Sequence, residues 1–223
     1  MRVEYLGHAA FLLVGEGGSV LIDPFLEENP NAALRPEEVT PDLILVSHAH
    51  HDHLGDAIQI SKACGAPILT TPEIAHYCLE QGAVSIAAHM GGVVDRGICT
   101  VKIFPAWHSS SIGGRMIGVP CSFVISMDGR AIYHAGDTAL FGDMSLIGEE
   151  FTLDLALLPI GGWYTMGPED ALKALRLLEA QAVVPMHYDT FDQIRANPIF
   201  FCKKVTEIGR KCFPLATGDS LEL

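Results

Sequence analysis

The chain has no CxxC pair among its six cysteines, and no apolar run of the ~20 residues that crossing a bilayer takes. Cys64, Cys78, Cys99, Cys121, Cys202 and Cys212 are dispersed. They read as buried thiols of a reducing compartment, not as a disulfide framework. Basic residues are scarce: 14 Lys and Arg stand against 27 Asp and Glu, a formal net charge of −13. A surface of that sign repels a phosphate backbone, so nucleic acid is disfavoured as a partner. Divalent ions in a pocket reverse the field locally, which keeps small anionic substrates open. The opening residues carry an acid at Glu4 and no apolar h-region, so no export signal is expected. No linker, low-complexity run or short-period repeat divides the chain. The expectation is one domain over residues 1–223, cytoplasmic and without a membrane span.

Hydrophobic residues make up 49% of the chain, enough for a sizeable core. Apolar stretches of strand length recur at 10–14, 19–22, 43–46, 67–70, 100–104, 121–126, 131–133, 155–159 and 182–185. Many are β-branched and bounded by Gly, Pro or Asp, which predicts strands. Residues 14–19 and 127–130 predict hairpin turns, the second around Asp128-Gly129. Helices are predicted at 55–64, 72–81, 168–181 and 197–208. Pro72 and Pro168 sit at first-turn positions, and Glu169 and Asp170 favour the helix dipole. Ala171, Leu172, Leu175 and Leu178 share one face. Asn197 is a cap and Gly209 a stop. Two strand-rich stretches, each followed by helices, predict an α/β layered sandwich: two sheets faced by helices around one core.

The densest chemical signal is His48-Ala49-His50-His51-Asp52-His53, directly after the apolar stretch 43–46 and before a helix. Four of the ten histidines fall within six positions, too many for an incidental polar loop. Imidazole and carboxylate suit zinc, iron or manganese. In an extended segment His48 and His50 point the same way and can grip one ion. Asp52 and His53 enter the helix, face elsewhere and can grip a second. Single polar residues also follow later apolar stretches: His108 after 100–107, Asp137 after 131–134 and His187 after 182–186. Open α/β sheets place their sites at the carboxyl ends of strands. The expected arrangement is His48, His50 and His108 on one ion, Asp52, His53 and His187 on the other, and Asp137 between them. His8 is a candidate substrate or proton contact, and Tyr188 a weak candidate oxyanion donor. Asp23 and His134 are expected to support ligands from behind. His76 and His89 read as structural. Loops 108–111 and 161–167 are candidates for the rim.

The string His-x-His-x-Asp-His at 48–53 is similar to the signature of the metallo-β-lactamase superfamily. Residues 5–9 (YLGHA), 22–25 (IDPF), 133–141 (YHAGDTALF), 159–161 (PIG), 165–170 (TMGPED) and 185–188 (PMHY) resemble one branch of it. That branch is a family of metal-dependent hydrolases related to the bacterial L-ascorbate-6-phosphate lactonase. The resemblance runs nearly end to end. It implies a four-layer αββα sandwich and two divalent ions, zinc first, with manganese, iron or nickel admitted by the same donors. His51 departs from the pattern, since relatives often carry a smaller or amide residue there. Roles as a spare ligand and as a proton carrier are both open to it, and a non-ligand role is favoured because both donor sets are already filled.

Two ions sharing a water lower its pKa from about 15.7 toward about 7. The hydroxide so formed would attack a small-molecule ester, lactone or phosphoester, with Asp52 and Asp137 as the catalytic carboxylates. Three other readings compete. A nuclease or phosphodiesterase of the same fold is opposed by the acidic balance. An iron redox enzyme lacks an attached flavin domain. A metal-dependent binding or sensor protein would keep the site without turnover. A β-lactamase in the narrow sense is not expected without an export signal. A homo-oligomer is left open.

Overall fold

The computed structural model describes residues 1–223. The first six strands are β1 (Arg2–Gly7), β2 (Ala10–Val14), β3 (Ser19–Ile22), β4 (Leu43–Leu45), β5 (Ile68–Thr70) and β6 (Ser85–Ala87). Then come β7 (Val93–Asp95), β8 (Thr100–Pro105), β9 (Ser111–Ile112), β10 (Arg115–Met116), β11 (Cys121–Met127) and β12 (Arg130–His134). The last are β13 (Leu155–Pro159), β14 (Ala182–Met186), β15 (Lys211–Cys212) and β16 (Ser220–Glu222). Helices α1 (His51–Leu54), α2 (Ala57–Cys64) and α3 (Pro72–Glu80) fall among the early strands. Helices α4 (Met144–Glu150), α5 (Pro168–Leu178) and α6 (Pro198–Glu207) fall among the late ones.

Two seven-stranded sheets result, in the orders β16-β1-β2-β3-β4-β5-β6 and β15-β14-β13-β12-β11-β8-β7. Each is antiparallel on one side and parallel on the other, with β3 to β6 and β12 to β15 running parallel. The predicted hairpins form: β2 pairs antiparallel with β3, and β11 with β12.

The pleat sorts the side chains of the first sheet onto two faces. Val3, Tyr5, Phe11, Leu13, Val20 and Ile22 face the second sheet and join the larger core cluster. Leu6, Ala10, Leu21, Ile44 and Ile68 face the other way and pack on Ala57, Ile60, Ile74 and Cys78 of α2 and α3. Strands β13 and β14 are buried at every residue, as parallel strands covered on both faces must be. Ala171, Ala174 and Leu175 of α5 supply that outer cover. The layers run helices, sheet, sheet, helices, the αββα order that the resemblance implies. No helix is long and apolar enough to cross a membrane.

Several features depart from expectation, among them the short strands β6, β7, β15 and β16, which no predicted stretch covers. Helix α4 was not predicted; seven residues interrupted by Gly148 are too few to show a helical period. The two-residue strands β9 and β10 pair only with each other and stand outside both sheets. Cys202 and Cys212 form a disulfide, against the reading of six free thiols. Helix α6 turns back onto β15 and brings their Cα atoms to 5.1 Å, a proximity that linear spacing does not reveal. Cys78, Cys99 and Cys121 are free and buried, as expected, while Cys64 is free and exposed.

Gly55 ends α1 at φ +42°, where a Cβ would lie 2.3 Å from the Pro24 carbonyl oxygen. Gly55→Ala is therefore expected to cost at least about 2 kcal/mol and to lower the thermal midpoint by roughly 4–8 °C. The disulfide spans a sequence separation of 10. Loop closure of that length is worth about 2–3 kcal/mol. Cys202→Ser should lower the denaturant midpoint in oxidising buffer and match the wild type once both are fully reduced.

Candidate metal centre

Six loops at the carboxyl ends of strands converge where the two sheets meet. The end of β1 brings His8, β3 brings Asp23 and β4 brings the 48–53 segment. From the second sheet β8 leads to His108, β12 to Asp137 and β14 to His187. Within the 48–53 segment His50 is extended and His51–Leu54 forms α1, so Asp52 meets His8 and His187, while the His53 ring stays 4.2 Å from that of His48.

Donor atoms gather into three overlapping clusters, each close enough to share one ion: His48, His50 and His108; His8, Asp52, His53 and His187; and His48, His53 and Asp137. His48 Nε2 lies 3.0 Å from His50 Nδ1. Asp137 sits among the others, its oxygens 3.2 Å from His53 Nε2, 3.6 Å from His108 Nε2 and 3.0 Å from His187 Nε2. The structure thus brings together all seven residues named from the sequence as ligands.

Hydrogen bonding behind the site fixes which ring nitrogens are bare. Asp23 accepts from the Ser47 backbone N–H and the Ser47 hydroxyl, both at 2.7 Å, and from His53 Nδ1 at 2.8 Å. The Ser47 hydroxyl proton is thereby committed, so the His48 Nδ1 atom 3.0 Å away must donate to Ser47 Oγ. Nε2 of His48 and Nε2 of His53 are left as lone pairs aimed inward. His53 Nε2, Asp137 Oδ1 and both His187 ring nitrogens are buried without a hydrogen-bond partner. Buried polar atoms are rarely left unpartnered, and a ring nitrogen facing a carboxylate at 3.2 Å calls for a proton or a metal cation between them. The donor set therefore fits divalent metal.

The protonation states agree. Burial pushes His48, His50 and His108 below the usual imidazole range, so they stay neutral with a free lone pair. Burial opposes charge on Asp137 too, but His187 and His53 outweigh it and hold the carboxyl well below the usual range. His53 is the exception. Burial lowers it, yet the carboxylates of Asp137 and Asp23 raise it overall. Its pull on a proton is the pull that a metal cation would satisfy.

His8 and Tyr188 are placed differently from the other candidates. His8 is buried, and its Nε2 donates to Asp52 Oδ2 at 3.2 Å while Nδ1 faces the Thr190 hydroxyl at 2.9 Å. Burial drops its pKa to about 4, so it remains neutral. Neither residue lines the central cleft. Both border a separate cavity of about 310 Å³ beside Tyr5 and Thr217. The chain leaves β14 through positive φ at His187 and Asp189, and this turn carries Tyr188 away from the ligands.

The supporting residues are partly those expected. Asp23 holds His53 as above. His134 donates from Nε2 to the Ala9 carbonyl and accepts the Gly136 N–H at Nδ1, so it braces the turn into Asp137 with both nitrogens committed. Ser47, Thr138 and Thr190 were missed. Thr138 Oγ1 accepts the Trp107 N–H at 2.9 Å and so joins the Asp137 loop to the His108 loop. Single hydroxyls next to ligands carry no pattern that marks them in a sequence. The cleft holds about 470 Å³, and Ser109, Tyr164, Phe191 and Gln193 line it together with the ligands. Ser109 and Tyr164 come from the two loops expected at the rim.

The chain is similar to known proteins over its full length. The profile of the β-lactamase superfamily domain matches residues 2–187. A UPF0173 metal-dependent hydrolase of Pelotomaculum thermopropionicum is 48% identical over 229 residues, covering 100% of both chains. One from Thermus thermophilus is 50% identical over 224 residues, covering 100% of this chain and 99% of its own. The solved structure of Igni18, a metallo hydrolase from the hyperthermophilic archaeon Ignicoccus hospitalis, superposes with a TM-score of 0.91. It is 39% identical and covers 100% of this chain and 98% of its own. The chain belongs to the metallo-β-lactamase superfamily and, within it, to the UPF0173 family of metal-dependent hydrolases.

Proposed function

We propose that this hydrolase works with two divalent metal ions, zinc first, on a small-molecule ester, lactone or phosphoester. The observation that carries the reading is the set of unpartnered lone pairs on His53, Asp137 and His187 at the centre of seven donors. His48, His50 and His108 would hold one ion, and Asp52, His53 and His187 the other. Asp137, in contact with His53, His108 and His187, would serve both. Ions held there supply an activated water and a counter-charge for the oxygen of the attacked group.

The chain's own residues prepare that chemistry. Asp23 keeps the His53 proton on Nδ1 and so keeps Nε2 free for metal. His8, fixed by Thr190, donates to Asp52 Oδ2 and orients the carboxylate beside His187. Tyr164 and Gln193 offer neutral polar groups to a substrate in a cleft the size of a small molecule. The nuclease reading finds no support in this cleft, which has no Lys or Arg in its lining to meet a phosphate backbone.

A screen of lactone, phosphodiester and thioester substrates, with metal analysis on the same sample, tests the proposal. Hydrolysis by metal-loaded protein and none after chelation is expected. A full metal complement with no turnover on any substrate would replace it with the binding or sensor reading. Asp137→Ala is expected to lower bound metal in elemental analysis and to abolish turnover; a fully metallated, fully active variant would remove its role between the ions. Asp23→Asn should weaken metal binding by about 10–100-fold in a competition titration.

A further inference from the structure

Beside the cleft lies a second cavity of about 680 Å³, within the range of about 300–1,000 Å³ that buries small ligands. His50 and His51 are the two residues common to both spaces. His50 belongs to a donor cluster, whereas His51 belongs to none. The His51 side chain is 69% exposed and clusters with two aromatic rings, Phe25 and Phe191, whose own centroids lie 6.4 Å apart. Phe25, which borders the second cavity, meets it edge-on at 5.7 Å between centroids. Phe191, which borders the cleft, lies at 6.5 Å.

Leu54 of α1, Ile58 and Gln59 of α2 and Tyr77 of α3 line the second cavity. The free-standing β9–β10 hairpin lines it as well, through Ile112, Gly113 and Gly114. Its base is tied to the ligand segment, because Ser110 Oγ accepts the Ala49 N–H at 3.1 Å. The charged side chains of the lining, histidines aside, are Glu27, Glu28 and Asp56, with no Lys or Arg among them. Asp56 is already engaged by the Leu26 and Glu27 backbone N–H groups.

We infer that this second cavity receives an apolar arm of the substrate that carries no negative charge, and that His51 sets specificity at the border the two spaces share. The inference rests on the metal-hydrolase reading. A reacting group at the ligands places the rest of a longer substrate beside this cavity. The apolar side chains of Phe25, Leu54, Ile58, Tyr77 and Ile112 within the lining reward its burial, and the carboxylates disfavour an anionic end.

Alkyl hydroxamates test this without turnover, since the hydroxamate chelates metal and the tail reports the cavity. Isothermal titration of zinc-loaded protein would compare acetohydroxamate, butano-, hexano- and octanohydroxamate, and a hexano analogue ending in carboxylate. Each added methylene should tighten binding by up to about fourfold, and the terminal carboxylate should erase the gain. Gln59→Trp fills the cavity from an exposed helix position and should flatten the series. His51→Ala should at least halve its slope. The slope is the readout, so a change in hydroxamate anchoring does not confuse it. A flat series in the wild type, or an unchanged slope in Gln59→Trp, overturns the subsite; an unchanged slope in His51→Ala removes the role of that residue. Failure of acetohydroxamate itself to bind overturns the metal reading, a distinct outcome that takes the subsite with it.

Discussion

The Asp23 carboxylate is the fixed point of the site. It is fully buried, and its hydrogen bonds tie together both ends of the ligand segment. Its backbone N–H donates to the Leu45 carbonyl, which locks the end of β3 to the end of β4. Its oxygens hold Ser47, the residue from which the ligand segment departs, and Nδ1 of His53, the residue at which that segment finishes. A buried carboxylate with fewer partners would cost several kcal/mol, so this arrangement has little freedom to relax. Through Ser47 it also commits the tautomer of His48. One acid thus sets the direction of a lone pair in each donor group.

That rigidity carries strain. His8, Asp23 and His187 all have positive φ, a conformation costing of order 1–3 kcal/mol in residues other than glycine. All three lie where a strand hands its chain to the site. The conformation turns a side chain off the strand direction and across the sheet edge, where extended backbone would have pointed it elsewhere. Two of them are linked directly: the His187 N–H donates to the His8 carbonyl at 2.7 Å, joining the two sheets beside the donor cluster. The surrounding core holds the strain in place, with β4 and β14 buried at every residue.

The sequence was most legible where one physical rule dominated. Period-two alternation and strand-end placement were enough to gather His48, His50, Asp52, His53, His108, Asp137 and His187. Apolar stretches bounded by turn residues marked β2, β3, β11 and β12 with their hairpins. Where a contact depends on a turn of the backbone, the pattern fell silent. Nothing in the run His187-Tyr188-Asp189 says that two positive φ angles turn the tyrosine away from the cleft. The β9–β10 hairpin is too short to show alternation, so the wall of the second cavity could not be foreseen. Cys202 and Cys212 meet only because α6 folds back onto β15.

Charge bears on what such a site favours. Neither the cleft nor the second cavity is lined by Lys or Arg, in a chain with 27 acidic residues. On the metal-centre reading, all strong positive charge lies at the reacting atoms. A substrate that is already a dianion would be attracted there in its ground state and repelled by the rest of the surface. A neutral ester or lactone meets the opposite balance. It enters without an electrostatic penalty and develops negative charge only as its carbonyl is attacked, at the one place where counter-charge is held. Stabilisation that grows toward the transition state raises turnover, whereas uniform attraction does not. On that reading, neutral esters and lactones are the substrates that this distribution of charge favours over dianions.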